Sequence, residues 1–139
     1  IEEDGSVTPE PEPDGETATA TIDFTAQSYG NGQVIESFVA NGVTVTLNKG
    51  TNSNAPKYYT SGSAVRVYGG NYFTVSSEST ITKIELTFGS SDGTNAITTD
   101  GGTYSDGAWT GSANSVKFTI GGSSGNRRIQ KIAVYTSAN

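Results

Sequence analysis

Four stretches of this chain alternate apolar and polar residues with a period of two, and that pattern admits little besides β-strands. Ala20, Ile22 and Phe24 alternate with Thr21 and Asp23, and Val43, Val45 and Leu47 with Thr44 and Thr46. Ile84, Leu86 and Phe88 alternate with Glu85 and Thr87, and Val116, Phe118 and Ile120 with Lys117 and Thr119. Successive strand side chains point to opposite faces, so each stretch carries one buried and one wet face. A fifth stretch, 129–135, breaks the rule: Ile129 is out of phase with Ile132 and Val134, which predicts a β-bulge near Gln130 and Lys131. No window repeats apolar residues at three and four, and leucine is scarce, so long helices are not expected. Strand signals recur every 10–15 residues, separated by Gly, Asn, Ser and Asp clusters such as 90–93 and 121–126. This rhythm predicts an all-β, two-sheet antiparallel β-sandwich of roughly eight strands. A jelly roll is the first expectation and an immunoglobulin-like Greek key the alternative; strand spacing alone does not separate them.

Charge divides the chain in two. Residues 1–16 hold Glu2, Glu3, Asp4, Glu10, Glu12, Asp14 and Glu16 without a base, a charge of −7. The remaining seven acids and all eight bases leave residues 17–139 at +1. Pro9, Pro11 and Pro13 alternate with the acids, which forbids a helix and favours an extended, self-repelling linker. At ~3.1 Å per residue such a linker reaches roughly 50 Å, enough to hold a β-sandwich domain over 17–139 away from an anchor. A domain this close to neutral lacks the basic stripe that nucleic acid requires, and gives no reason for binding anionic membranes. No apolar run approaches the ~20 residues needed to cross a bilayer, so direct membrane insertion is not expected. With no cysteine, the domain relies on its core rather than on disulfides. A start at Ile1 in an acidic, proline-spaced run points to a removed export signal, and the absence of Asn-x-Ser/Thr sequons fits a bacterial exported protein.

Catalysis is disfavoured by missing residue types. Without His or Cys there is no Ser-His-Asp or Cys-His nucleophile and no ordinary zinc site, and no phosphate-binding glycine loop occurs. A carboxylate pair for glycoside hydrolysis remains chemically open. However, Asp23 and Glu85 fall on wet strand faces and the other acids mostly follow turn residues, so no enzyme is expected. Asp92-Gly93, Asp100-Gly101 and Asp106-Gly107 read as turns; a structural calcium ion is their rival reading, although the spacing does not match a calcium loop. No other cofactor or metal is implied.

Binding has better support. Val65, Val67, Phe73 and Val75 should all face the core, and a three-residue Gly69-Gly70-Asn71 hairpin loop keeps their faces consistent by pairing Tyr68 with Tyr72 and Val67 with Phe73. Asn71 or a glycine would then be left-handed. Arg66, Tyr68 and Tyr72 would share one outward face, with Tyr58 and Tyr59 along an adjacent edge after the restricted Ala55-Pro56 step. Sugar-binding sites stack pyranose rings on flat aromatics and fix hydroxyls with groups such as Arg, so these five residues are the candidate ligand contacts. The plainer reading is tyrosines suited to half-buried strand surfaces, with Arg66 as a cation over a ring. Trp109 reads as a core plug rather than a stacking platform, and Arg127 and Arg128 as a basic pair that is solvated or bound to a nearby acid, with ligand contact by either as the alternative.

Several segments together, Asn54-Ala55-Pro56-Lys57-Tyr58-Tyr59, residues 61–68, Ile81-Thr82-Lys83-Ile84 and Arg128-Ile129-Gln130-Lys131-Ile132, resemble a β-sandwich module of exported lipoproteins and multidomain surface proteins of gut-dwelling Gram-negative bacteria. The resemblance covers residues 17–135. It implies a galactose-binding-like jelly roll of the adhesion or carbohydrate-binding kind, with a lipid-anchored precursor whose anchoring cysteine would precede Ile1. The expectation is therefore a monomeric, non-catalytic carbohydrate-binding module at the cell surface or outer membrane. The alternative is a structural or protein-adhesion module without glycan affinity, meeting a surface protein.

Overall fold

The computed structural model describes residues 17–137. The acidic linker expected over 1–16 lies outside the described residues, as do positions 138 and 139. Among the described residues the chain is all-β. Its strands are β1 (Ala20–Asp23), β2 (Gln33–Val34), β3 (Ser37–Ala40), β4 (Val43–Asn48), β5 (Lys57–Tyr59) and β6 (Ala64–Tyr68). There follow β7 (Tyr72–Phe88), β8 (Ile97–Thr99), β9 (Thr103–Ser105), β10 (Ala108–Ile120) and β11 (Asn126–Thr136). A 3-10 turn, Phe24–Ala26, follows β1. Eleven strands replace the eight or so expected, because β2, β8 and β9 are too short to display an alternation.

All strand pairs are antiparallel, and the two longest strands belong to both layers of the sandwich. Residues 72–77 of β7 lie between β4 and the end of β10, in a layer completed by β3 and β8. Residues 81–88 of β7 lie instead between β11 and the start of β10. That second layer continues outward from β11 through β6, β5 and β2, with β1 also on β11 and β9 on β10. The strands turn from one layer to the other where the apolar alternation lapses, at Ser76-Ser77-Glu78-Ser79-Thr80. Opposite this stretch the register of β10 shifts on both sides of Ala113.

The pleat puts the expected residues inside. Ile22, Val43, Val45, Ile84, Phe118 and Val134 are among the fully buried side chains of one continuous core, and the Phe73 and Phe118 rings stack at 4.7 Å. The expected bulge is present: Ile129 sits opposite Phe88 and Lys131 opposite Thr87, leaving Gln130 as the extra residue and returning Ile132 to the core. Trp109 plugs the core at 1% exposure, and its Nε1 donates to the Gly101 carbonyl at 2.7 Å. Gly102 and Gly111 make room for it; a Cβ at either would approach the indole to 2.5 or 2.7 Å.

One expectation fails. β6 and β7 do not form a hairpin: β6 pairs with β5 and β11, while the start of β7 pairs with β4 and β10. Val65, Val67, Phe73 and Val75 do all face the core, but from opposite layers. Inward facing is satisfied equally by a hairpin and by a crossing between sheets, and the chain crosses. Gly70 makes the turn at φ +90, and Asn71 is not left-handed.

Asn71 ties the crossing together. Fully buried, it accepts from the Tyr68 amide at 2.7 Å and donates through Nδ2 to the Lys49 and Asn54 carbonyls, both at 2.9 Å. Its own amide donates to the Tyr68 carbonyl, and its carbonyl accepts from the Ile120 amide. Replacing it by alanine strands one buried donor and two acceptors, each costing about 1–3 kcal/mol. Asn71→Ala should therefore lose about 3 kcal/mol or more, read as a lower urea midpoint. Asn71→Asp sets a carboxylate against two carbonyls, which favours the protonated folded form. Its deficit should be smallest at acid pH and grow as pH rises through the carboxylate range.

Candidate functional site

β5, β6 and the first residues of β11 lie side by side, and their alternation decides what faces outward. Tyr58, Val65, Val67 and Ile129 point into the core, so Lys57, Tyr59, Arg66, Tyr68 and Arg128 point away from it. The registers put Lys57 opposite Arg66 and Arg66 opposite Arg128, so three cations form one row across three strands. The guanidinium of Arg66 lies on the Tyr59 ring, 4.0 Å from its centroid, and the Tyr59 and Tyr68 hydroxyls are 3.5 Å apart. Among the described residues neither Arg66 nor Arg128 has an ion pair, and the Nε atoms of both are buried without a hydrogen-bond partner.

Arg127, one residue away, is neutralised fully. Its Nε and Nη2 donate to the Asp92 carboxylate, Nη2 at 2.8 Å, and its Nη1 donates to the Asn95 carbonyl. Its guanidinium lies over the Phe88 ring. Its hydrogen bonds to the Asp92 carboxylate hold its pKa above even the usual arginine value. Asp92 thus belongs to an ion pair and also accepts from the Arg128 amide. Asp100 accepts from the Lys117 amide, and Asp106 and Gly107, both at positive φ, make the tight turn between β9 and β10. Among the described residues no three acidic side chains gather as a metal site would require.

The five residues singled out in the sequence therefore separate. Arg66, Tyr68 and Tyr59 come together. Tyr58 faces inward at 6% exposure and packs on Tyr29, because the strand that exposes Tyr59 must bury its neighbour. Tyr72 lies in the other layer, opposite Asn48 and Thr119, with the Lys117 ammonium 4.2 Å from its ring centroid. It is separated from Arg66 because the hairpin that would have joined them is a crossing. The face gains Arg128 and Lys57 instead. Arg128 stands out in the sequence only as half of a basic pair, and its place beside Arg66 follows from the β6–β11 pairing, which no local pattern shows.

Two surface grooves lie elsewhere. One, of about 590 Å³ at the bend of β7, is lined by Thr19, Asn41, Thr44 and residues 76–79. Several of its polar groups are bonded to the protein itself, as where Asn41 donates to the Thr19 carbonyl and Ser76 to the Thr44 carbonyl. The other lies between residues 34–36 and 46–49.

No family model matches the chain, and neither curated proteins nor solved structures give a match. What fold and face define together is an antiparallel β-sandwich module with a cationic, tyrosine-bearing patch on one outer layer.

Burial, and next the contact with Tyr59, push the Tyr68 phenol up to about 12 from an ordinary 10.0, so it is a neutral donor at physiological pH. The folded state keeps this proton where the unfolded chain loses it. Its contribution to stability is thus complete below pH 10.0 and falls as pH rises toward about 12. In an ultraviolet titration Tyr68→Phe should remove a tyrosine step near pH 12 and flatten the alkaline fall in stability. A Tyr68 that ionises at the ordinary tyrosine value would contradict its placement.

Proposed function

We propose that this chain is a non-catalytic carbohydrate-binding module of the cell surface, exported and held at the outer membrane through a lipidated N-terminus. The observation that carries this reading is the Arg66 guanidinium over the Tyr59 ring, 4.0 Å from its centroid, with the Tyr68 hydroxyl alongside. A guanidinium held against a ring has less freedom to lose when its remaining donors engage sugar hydroxyls. Tyr68 adds a neutral hydroxyl and part of a ring edge. In this reading Tyr59 positions Arg66 rather than stacking on the sugar through the face that Arg66 covers. No described helix is long and apolar enough to cross a membrane.

A glycan array followed by calorimetric titration tests this. Arg66→Ala should abolish measurable binding, and Tyr68→Ala should weaken it by about tenfold, a loss of ~1.4 kcal/mol. Absence of binding across host and dietary glycans would refute the reading.

One observation favours protein adhesion instead. Strand β3 pairs only with β4 among the described strands, and its Val39 is 66% exposed, so an outer edge is available for strand addition. In that case a pull-down from surface extract should capture a protein that Val39→Lys releases.

A further inference from the structure

The geometry points to an acidic sugar as the ligand, its carboxylate or sulfate held between Arg66 and Arg128. This inference rests on the carbohydrate-binding reading and specifies its ligand class. Three features carry it. The first is register: Arg66 and Arg128 are directly opposed across β6 and β11, with Lys57 on the far side of Arg66. Like charges facing each other across strands repel, so this row disfavours the folded state unless an anion joins it.

The second is the absence of internal neutralisation: Asp92 bonds the Arg128 amide and gives its carboxylate to the side chain of Arg127, and among the described residues no acid pairs with the side chain of Arg66 or Arg128. The domain is close to neutral, so the row is a local concentration of charge and not part of a general basic surface. The third is unmet hydrogen bonding: Nε of both arginines is buried and unpaired. A guanidinium offers Nε and one terminal nitrogen as a fork matched to two oxygens, so a small rotation of either side chain onto a carboxylate or sulfate satisfies the orphaned donor. The Tyr59 ring, 4.0 Å from the Arg66 guanidinium, limits its movement, and the Tyr68 hydroxyl, which donates to that of Tyr59, braces that ring. A single row of three cations suits one or two acidic groups on a sugar chain; it is too short for the regularly spaced phosphates of a nucleic acid.

The test titrates the full chain with oligogalacturonate, its neutral methyl ester, sialyllactose, chondroitin sulfate, a neutral β-glucan oligomer and a single-stranded DNA of matched charge. At least one acidic sugar should bind, more weakly as salt is raised, and the uronate and sulfate arms identify which anion is preferred. If the uronate binds, its methyl ester should be weaker by about tenfold or more. Arg66→Gln and Arg128→Gln should each cost about tenfold or more, and Arg66→Lys, which keeps the charge but not the fork, an intermediate amount. Lys117→Gln removes the same charge from the other layer and should leave binding unchanged. Without ligand, Arg66→Gln and Arg128→Gln should unfold at the same temperature as the parent or higher, since each relieves repulsion. Binding of neutral and acidic sugars alike, still dependent on Arg66, would overturn the acidic ligand and leave the carbohydrate reading intact. Failure of every sugar would overturn both, and equal binding of DNA would overturn the preference for a sugar acid.

Discussion

The buried side chain of Asn71 is the contact on which the arrangement of the two layers depends. Among the described residues it alone of the polar side chains is fully buried. A side chain with one acceptor and two donors is costly in a core unless all are met, and here all three are met, by two separate parts of the chain. The partners are the Tyr68 amide at the end of β6 and the Lys49 and Asn54 carbonyls of the loop after β4. Its backbone adds Ile120 at the end of β10. A hydrophobic contact at this point would tolerate sliding, whereas directional bonds to separate segments admit one geometry. The crossing from β6 to β7 is therefore specified, and with it the separation of Tyr68 from Tyr72.

That crossing also shapes the candidate site. It leaves β6 free to pair with β11, and this pairing sets Arg66 against Arg128. The two neighbouring arginines at the start of β11 show how one residue of phase divides their roles. Arg127 turns to Phe88 and Asp92 and is satisfied within the fold. Arg128 turns outward, beside the Arg66 guanidinium, and among the described residues no acid pairs with it. The first is a structural ion pair. The second is charge held in register without internal compensation.

Much of the fold was legible because the relevant information is local. The phase slip between Ile129 and Ile132 announced the bulge at Gln130, since an extra residue is the simplest way for a strand to bury both. Trp109 among small residues announced a core plug, and Gly102 and Gly111 lie against its indole. The cation expected over a ring is also present, although the ring under Arg66 is that of Tyr59. The candidate site was half legible. Arg66, Tyr68 and Tyr59 could be placed outward from the pleat alone, but Tyr72 was assigned to them through a hairpin that does not form, and Tyr58 is buried against Tyr29. The adjacency of Arg128 had no local signature at all.

By itself, the sequence determined which side of each strand meets the core, where strands bulge or turn, and which chemistries its residue types exclude. Those properties are set residue by residue, through side-chain hydrophobicity and backbone freedom. The tertiary structure decided which strands are neighbours. Backbone amides and carbonyls are the same at nearly every position, so the ladder does not encode its partner. Val67 and Phe73 are buried equally well in a hairpin or across a sandwich. The choice between them fell to long-range bonds such as those of Asn71, and that choice placed Arg128, rather than Tyr72, beside Arg66.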